Sequence, residues 1–562
     1  MIFKELAMKV ITKVLAETEK CFLDEKIEDK KEYLRASALL GERFSFQVAY
    51  VCEGLNTGIA NATCRFTVDS PIEEYISVQK IESVPVRMPL NPGVDDGNYL
   101  RTEPGLYPDL LKPFDTDNKP FLATRNLQSL WIDVEIPEDL AGGTYPISFK
   151  ITDFWNGEEL GEASFELEVI PALLPKQEIA VTQWFHPDCL SVYYGVEVFS
   201  EEHWAIMAQF IDTAVKNGIN MILTPVFTPP LDTVKWTERP TVQLVDVERR
   251  DGKYTFGFDK LIRWVNMCLE LGVEYFEISH LFTQWGAGHA PKVMATTENG
   301  YERIFGWETD ATGAEYTEFL TAFLPQLIEE MNKLGVAKNT VFHISDEPGS
   351  DHLENYLAAK NTVKSLLEGQ VIMDALSDFS YWEKGVVDCP VVSIDHMQPY
   401  LDAKVPGLWT YYCCCQADKV SNRFMSMPTA RNRIIGQQFY KYDIKGFLQW
   451  GYNFYFTQGS IDFCNPYECT DGGWWVPAGD TFSVYPAPGG AAYESLHLLG
   501  FTAALYDLRA FRLAETLCGR DSVMALIEEK GEVTFKEYPR GDRQVLDVRE
   551  KINALIKDAI SK

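Results

Sequence analysis

The chain has 562 residues, which is too many for one hydrophobic core, and its 46% of hydrophobic residues can fill two or three domains. It carries 82 acidic against 51 basic side chains, and this formal net charge of −31 excludes nucleic acid as an expected partner, because acidic surfaces repel phosphate backbones. Aromatic residues make up 13% of the chain, and any surplus of Trp and Tyr in loops would suit the apolar faces of sugar rings.

The first residues of the chain and its cysteines indicate in which cellular compartment the protein is expected. The first 20 residues alternate charged with apolar side chains and contain no apolar core of signal-peptide length. No stretch of about 18 uncharged apolar residues occurs, so no membrane span is predicted. Cys413 to Cys415 are consecutive, which favours a buried strand, and no paired CxxC spacing indicates a zinc site or a disulfide framework. Thiols and the missing signal segment together predict a cytoplasmic protein.

Residues 1–170 predict an N-terminal β-sandwich domain. Short runs of alternating apolar and polar residues recur there, and clusters of Gly, Pro, Asn and Asp separate them. No catalytic constellation is visible in this part, and Pro171–Pro175 predicts a stiff linker. The clearest runs are Ser45–Tyr50, Leu130–Glu135, Thr144–Phe149 and Ala163–Val169.

Residues 176–490 alternate strands with helices and predict a (β/α)8 TIM-like barrel with insertions. One insertion is a hairpin around Arg250-Asp-Gly252. The alternative, an open doubly wound sheet, would need a Gly-rich phosphate turn, and none is present. The predicted strands are Ile179–Phe185, Asn220–Leu223, Val273–Ser279, Thr340–Ser345, Gln370–Met373, Val391–Asp395, Gly407–Tyr412 and Gly446–Trp450. The clearest predicted helices are Glu201–Asn217, Phe258–Leu271, Gly313–Leu334, Leu353–Leu367 and Thr429–Tyr442.

Residues 491–562 predict a small helical extension that packs on the barrel. A long helix is expected through Ala514, followed by a short strand at Val533–Lys536 and a final helix at Val545–Ile560.

The fourth predicted barrel strand ends in two adjacent acids, Asp346 and Glu347. Each carboxylate raises the pKa of the other, and burial raises the pKa of both, so the pair is a candidate acid/base site. The alternative is structural, because Ser345, Asp346 and Glu347 could cap the helix that follows. If the barrel is right, both acids lie at the mouth where barrel enzymes carry out their chemistry.

Other strand ends supply acids, histidines and aromatic residues to the same mouth, which indicates a sugar-binding pocket. The histidines could instead be satisfied core residues, the tryptophans could fill the barrel, and the strand-end aspartates could be caps. A metal site built from His186, Asp188, Asp395 and His396 has no supporting spacing, so no metal or other cofactor is predicted. The candidate substrate-binding residues are His186, Asp188, His280, Trp285, His289, Asp395, His396, Tyr411, Tyr412, Trp450, Tyr452 and Asn453.

The adjacency of Asp346 and Glu347 bears on mechanism. Ordinary retaining glycosidases hold two carboxylates about 5 Å apart and use one as the nucleophile. Two acids that are neighbours in sequence at a strand end point in different directions, so one can reach the glycosidic oxygen while the other lies beside the sugar ring. This arrangement suits substrate-assisted cleavage, in which a 2-acetamido group of the substrate attacks the anomeric carbon. The first acid would then hold the acetamide N–H, and the second would protonate the leaving oxygen and later activate water.

Six motifs along the chain are typical of one enzyme family. They are His343-Ile-Ser-Asp-Glu-Pro348, Trp184-Phe-His-Pro-Asp-Cys189, Met221-Ile-Leu-Thr-Pro-Val-Phe-Thr-Pro-Pro230, Phe282-Thr-Gln-Trp-Gly286, Ser421-Asn-Arg-Phe-Met-Ser-Met427 and Lys445-Gly-Phe-Leu-Gln-Trp-Gly-Tyr-Asn453. Together they resemble glycoside hydrolase family 123, the β-N-acetylgalactosaminidases. The resemblance covers nearly the whole chain and is most specific from about 176 to 515. It implies a β-sandwich before a (β/α)8 barrel, retention of configuration, and Asp346 and Glu347 as the acetamide-orienting acid and the general acid/base.

The expected function is a retaining exo-β-N-acetylhexosaminidase that releases terminal β-linked GalNAc from a carbohydrate partner. Two alternatives stay open. One is a non-catalytic carbohydrate-binding protein on the same fold, and the other is a glycosidase for β-GlcNAc or β-galactosides.

Overall fold

The computed structural model describes residues 8–56, 58–116 and 119–561. In chain order the strands are β1 (Lys9–Ala16), β2 (Arg35–Leu40), β3 (Arg43–Glu53), β4 (Asn61–Asp69), β5 (Ile76–Val86), β6 (Gly105–Pro113), β7 (Phe121–Thr124), β8 (Gln128–Glu135), β9 (Gly143–Asp153), β10 (Glu159–Leu173), β11 (Ala180–Gln183), β12 (Met221–Thr224), β13 (Asp246–Arg250), β14 (Lys253–Gly257), β15 (Tyr275–Ile278), β16 (Val293–Thr297), β17 (Gly300–Phe305), β18 (Thr340–Phe342), β19 (Val371–Ala375), β20 (Cys389–Ser393), β21 (Trp409–Tyr411), β22 (Gly446–Gln449), β23 (Tyr485–Pro486) and β24 (Ala492–Tyr493). The α-helices are α1 (Pro187–Tyr194), α2 (Glu201–Lys216), α3 (Asp259–Leu271), α4 (Ala314–Lys333), α5 (Leu353–Val363), α6 (Phe379–Glu383), α7 (Met397–Asp402), α8 (Thr429–Arg433), α9 (Ile435–Tyr442), α10 (Leu496–Cys518), α11 (Arg520–Ile527) and α12 (Asp542–Ile560).

The chain divides into two compact units that do not follow sequence order. The first groups the chain up to Gln177 with Ser421–Lys441 and the segment from Tyr493 onward, and the second contains Glu178–Val420 and Tyr442–Ala492. The helical tail therefore belongs with the N-terminal sheets, where the sequence predicted an extension on the barrel. In the first unit, α12 packs against β10 and β2, and α10 packs against α12 and α8.

The first unit contains the predicted β-sandwich, and this prediction is confirmed. Its two five-stranded sheets have the strand orders β1-β3-β8-β5-β6 and β2-β10-β9-β4-β7. Alternation places one side of each strand in the core, as in β9, where Ile147, Phe149 and Ile151 are buried. Phe46 and Phe165 stack in this core with their rings 4.2 Å apart. Because β10 continues to Leu173, the predicted linker is shorter than expected.

The second unit contains the predicted barrel, which is also confirmed. Eight parallel strands close in the order β11-β12-β15-β18-β19-β20-β21-β22, and β22 pairs back onto β11 with Ala180 opposite Gly446. Each predicted barrel strand is present. Apolar side chains such as Met221, Leu223 and Met373 fill the interior. The carboxyl ends of all eight strands therefore meet at one mouth.

An inserted four-stranded sheet with the order β14-β13-β16-β17 also belongs to the second unit. The predicted hairpin forms its first half, and its turn residues Asp251 and Gly252 have φ values of 48° and 74°, as a two-residue hairpin turn requires.

The tail and the cysteines differ from the sequence-based expectations in two respects. Val533–Lys536 forms no strand, because Thr534 donates its N–H to the Glu537 carbonyl at 2.6 Å and closes a turn. Cys464 and Cys469 form a disulfide, so the cysteines are not all thiols. Within the described residues, no helix has the length and apolar character needed to cross a membrane.

Candidate active site

Asp346 and Glu347 lie at the carboxyl end of β18, where the chain leaves the barrel wall. Trp285 donates its N–H to the Asp346 carbonyl at 2.9 Å, and Glu347 donates its N–H to the Ala375 carbonyl at 3.0 Å. Glu347 has a φ of 41°, in the left-handed region that non-glycine residues seldom adopt. The loop after β15 and the end of β19 therefore hold the two acids from either side.

Both acids line a cavity of about 190 Å³ at this mouth. Four tryptophans share the lining, which gives the cavity the flat apolar faces on which sugar rings stack. The lining residues are Trp184, Asp232, Trp285, Asp346, Glu347, Ala375, Tyr411, Cys413, Cys414, Leu448, Trp450 and Trp475.

The environment of the pair disfavours two negative charges. Burial and then the Glu347 carboxylate raise the pKa of Asp346 well above its usual range, and Asp232 adds to the effect. Burial also raises the pKa of Glu347, although Tyr411 opposes this by donating its hydroxyl to Glu347 Oε1 at 2.6 Å. Two neighbouring carboxyls in such a site retain one proton between them more readily than they lose both.

Asp232 is a third carboxyl in the lining, and the sequence did not predict it. It lies in the long loop after β12, with its N–H donated to Gln284 Oε1 at 2.6 Å. Burial raises the pKa of Asp232 to about 7, and the negative charge of Glu347 contributes. Asp232 thus brings a group that titrates near neutral pH into the same cavity.

A buried polar cluster lies beneath the pair. Asp374 accepts the N–H of Ile344 at 2.9 Å and the hydroxyl of Tyr356, which fixes the strand end just before the acids. His343 Nδ1 lies 3.5 Å from Asp374 Oδ1, and its ring stacks on that of His280 at 4.4 Å. The buried His280 ring also packs edge-on against Trp184 at 5.3 Å, and His280 is not among the residues that line the cavity.

His186, Asp188 and Asn453, predicted to bind substrate, bind other protein groups instead. Asp188 makes a buried bidentate ion pair with Arg239, with both N–O distances 2.8 Å. His186 Nε2 lies 2.9 Å from the Trp450 carbonyl, and Asn453 bonds the His186 backbone at 2.9 and 3.1 Å. This network fixes the ends of β11 and β22 relative to each other.

Asp395 and His396 also lie outside the lining. His396 Nδ1 is 2.9 Å from Asp395 Oδ1, and Gln416 donates to the same oxygen at 3.2 Å. Asp188 is bound by Arg239, and among the residues that the structure describes His186, Asp188, Asp395 and His396 do not bring their ligand atoms together.

Three further candidates have structural contacts. The ring of Tyr412 packs edge-on against Phe447 at 4.9 Å, and the Tyr452 hydroxyl donates to the Phe210 carbonyl at 2.8 Å. His289 is half-buried between tryptophan rings and is not in the lining.

Trp285, Tyr411 and Trp450 are the predicted binding residues that do line the cavity. Trp475 also lines the cavity, and the sequence analysis did not predict it. It belongs to a pair of tryptophans that follows two glycines in the long loop after β22, and this pair was the feature that could have indicated it. Cys413 and Cys414 were predicted in a buried strand, but β21 ends at Tyr411 and the cysteines enter a turn.

Comparison with known proteins agrees with this geometry. Residues 184–514 match the glycoside hydrolase 123 catalytic domain family. A structure addressing glycolipid glycan hydrolysis by a family 123 glycoside hydrolase from Clostridium perfringens is 16% identical, with a TM-score of 0.73 and 98% of each chain covered. No curated protein matches the chain.

More distant structural matches include two β-glucuronidases. The enzyme from Bacteroides uniformis is 12% identical, with a TM-score of 0.30 and coverage of 85% of this chain and 48% of its own. The enzyme from Ruminococcus gnavus, in complex with D-glucaro-1,5-lactone, is 10% identical, with a TM-score of 0.30 and coverage of 82% and 66%.

Proposed function

The chain belongs to glycoside hydrolase family 123, and from this premise we propose that it is a retaining exo-β-N-acetylhexosaminidase that releases terminal β-linked GalNAc. The observation that carries the proposal is the pair of adjacent carboxyls in one tryptophan-lined cavity, at the carboxyl end of a barrel strand.

The pair supplies one proton and one negative charge, which are the two things that substrate-assisted cleavage needs. A substrate acetamide donates its N–H to Asp346, which favours the charged form of that carboxyl and leaves the shared proton on Glu347. Binding of the correct substrate thereby sets the protonation state for the first step. A sugar without the acetamide cannot do this.

In the first step the acetamide carbonyl oxygen attacks the anomeric carbon. The glycosidic C–O bond breaks, and the leaving oxygen takes the proton from Glu347. Asp346 stabilises the positive charge that develops on the acetamide nitrogen.

In the second step a water molecule attacks the anomeric carbon. Glu347, now a carboxylate, accepts a proton from that water, and the bond to the acetamide oxygen breaks. Two inversions restore the original configuration, so the product retains its β-anomeric form.

Asp232 favours one specific alternative, a two-carboxylate mechanism on β-galactosides or other sugars without an acetamide. Asp232 lines the same cavity and comes from a different strand end than Glu347, as a separate nucleophile would. A nucleophile must be ionised, however, and burial raises the pKa of Asp232 to about 7, which weakens this role at neutral pH.

Aryl β-glycosides of GalNAc, GlcNAc and galactose test the proposal on the full chain. We expect rapid release from the GalNAc substrate, slower release from the GlcNAc substrate and almost none from the galactoside. A thiazoline mimic of the cyclised intermediate should inhibit, and proton NMR of the first product should show the β-anomer. A glycolipid glycan belongs in the panel, because the C. perfringens relative has been studied for glycolipid glycan hydrolysis.

The other outcomes are equally informative. Equal hydrolysis of the galactoside would reject substrate assistance and favour Asp232 as the nucleophile. Preference for GlcNAc would keep the mechanism and change the substrate. Glycan binding without release of any sugar would identify a non-catalytic carbohydrate-binding protein.

A further inference from the structure

Three consecutive cysteines, Cys413 to Cys415, follow β21 at the rim of the cavity. Cys413 and Cys414 are part of the lining. Tyr411, the residue that donates its hydroxyl to Glu347, lies two residues before Cys413. An ion bound by these thiols would therefore share a cavity with the proposed acid/base.

A turn gathers the three thiols. In an extended strand, consecutive side chains point to opposite faces. Here Gln416 donates its N–H to the Cys413 carbonyl at 3.1 Å and so closes a turn. Gln416 Oε1 also accepts the Cys413 N–H at 2.9 Å and lies 3.2 Å from its sulfur. The backbone is thus folded by its own hydrogen bonds into a shape that brings the sulfurs together.

The distances between the sulfurs suit a single metal ion. The Sγ atoms of Cys414 and Cys415 are 3.8 Å apart, and all three Sγ atoms lie within 4.8 Å of one another. Zinc binds thiolate sulfur at about 2.3 Å, so two sulfurs on one tetrahedral ion are about 3.8 Å apart. In residues 8–56, 58–116 and 119–561, no other three Cys, His, Asp or Glu residues bring their ligand atoms this close.

We propose that Cys413, Cys414 and Cys415 bind one thiophilic d¹⁰ metal ion, such as Zn²⁺ or Cd²⁺, and that the bound ion inhibits the glycosidase. The inhibition rests on the proposed function, but the binding does not. Soft thiolate ligands select such ions, and three S–H protons are released to solvent for each ion bound. An ion on two lining residues occupies space that the substrate needs, and its charge lies close to the carboxyls.

Binding is tested on the full-length protein with Cd²⁺ alone, after reduction with a phosphine and without oxygen. Thiolate-to-cadmium charge-transfer absorption counts the ions, and proton release is measured in parallel. We expect one ion per chain for the wild type. The triple variant Cys413→Ser/Cys414→Ser/Cys415→Ser should bind none, and Cys415→Ser alone should weaken binding at least about tenfold, since one of three ligands is lost.

Two matched controls locate the site. Cys518→Ser removes a half-buried thiol of the first unit and should bind cadmium as the wild type does. The double variant Cys464→Ser/Cys469→Ser removes the pair that the reductant could open, and it should also keep the site. Equal binding by the triple variant, or its loss in either control, would place the ion elsewhere and overturn the proposal.

Inhibition is then measured as the ratio of aryl-glycosidase rates with and without one equivalent of Cd²⁺ or Zn²⁺. The wild type and Cys518→Ser should lose most of their activity and regain it with a chelator, whereas the triple variant should show a ratio near one. Bound cadmium without inhibition would reject the inhibitory role. Loss of activity on oxidation with no cadmium binding would replace the metal site with a thiol-oxidation switch. A chain that hydrolyses no substrate would refute the proposed function while the binding result stands.

Discussion

Both units of the protein bury carboxyl groups, and the ion-pair cluster of the first unit treats them in the opposite way to the cavity of the second. In the first unit, Asp507 accepts two bonds from Arg433, both at 2.7 Å, and lies 3.1 Å from Arg549. In the second unit, Asp346 and Glu347 share a cavity, and among the described residues no lysine or arginine forms an ion pair with either. The first arrangement neutralises the carboxylate with arginine, and the second favours retention of a proton.

The pKa values express the same difference. Burial alone would raise the pKa of Asp133 in the first unit, but Arg43 at 2.7 Å outweighs it and the pKa falls. Burial and a neighbouring carboxylate both raise the pKa of Asp346. Buried acids matched with arginine therefore serve the fold, whereas buried acids without it hold protons that a reaction can use.

The largest expected effect is the loss of glycoside turnover when Glu347 is replaced by glutamine. Glu347→Gln removes the transferable proton, and turnover of a natural glycan with a poor leaving group should fall by about 10² to 10⁴-fold. Activated aryl glycosides should lose less, because their leaving group needs little protonation. Rates on both substrate types, measured side by side, check this. An unchanged rate on the natural glycan would remove the role assigned to Glu347.

The corresponding substitution in the first unit is Asp507→Asn, which should lower the stability of the protein without changing its catalytic rate. Asp507→Asn removes the carboxylate that Arg433 and Arg549 share, although Glu17 and Glu42 remain as their other partners, and the free energy of unfolding should fall by about 2 kcal/mol. Activity per folded molecule should not change. Urea unfolding and active-site titration measure the two quantities. Glu201→Gln, at an exposed pair with Arg263, is the control and should leave the urea midpoint unchanged.

The raised pKa of Asp232 gives a further test of this comparison, through the pH dependence of the stability of the protein. The folded pKa of Asp232, about 7, lies above the unfolded value near 4, so its contribution to stability is complete below pH 4 and is lost as the pH rises to 7. Asp232→Asn should therefore gain stability over the wild type from about pH 4 to pH 7, with a constant difference above. Urea midpoints across pH 4 to 8 test this. A difference independent of pH would show that Asp232 is ionised throughout.

The smallest effect is expected for Tyr411→Phe. Its hydroxyl bond favours the charged form of Glu347, so its removal should raise the Glu347 pKa further. The acid form of Glu347 is active in the first step, and the basic limb of the pH–rate profile should move to higher pH. The pH dependence of kcat measures the shift, with Tyr412→Phe, outside the lining, as the control. A shift to lower pH would contradict the hydrogen bond's proposed effect.

The sequence predicted the barrel well and placed Asp346 and Glu347 at its mouth, for a physical reason. Strand–helix alternation is a local signal, and a closed parallel barrel places every strand end at one mouth. The position of Asp346 and Glu347 followed from that rule alone. Trp285, Tyr411 and Trp450 followed from the same rule.

What the sequence could not show depends on long loops and on the direction of side chains. Asp232 and Trp475 reach the cavity from loops whose course no periodicity reveals. Asp188 and His280 follow barrel strands as predicted, but Asp188 binds Arg239 and His280 is buried against Trp184 and His343. The grouping of the tail with the N-terminal sheets depends on contacts between distant parts of the chain, for which a single sequence carries no signal.

The left-handed backbone at Glu347 has a consequence for evolution. A non-glycine residue in this conformation costs about 1 kcal/mol, so the folded state alone would favour glycine at this position. Selection for hydrolysis opposes that preference. Without that selection, exchange of Glu347 for glycine would relieve the backbone strain and would remove the hydrogen bond from Tyr411. We therefore expect glycine at this position to be compatible with the scaffold and incompatible with the chemistry proposed for Glu347.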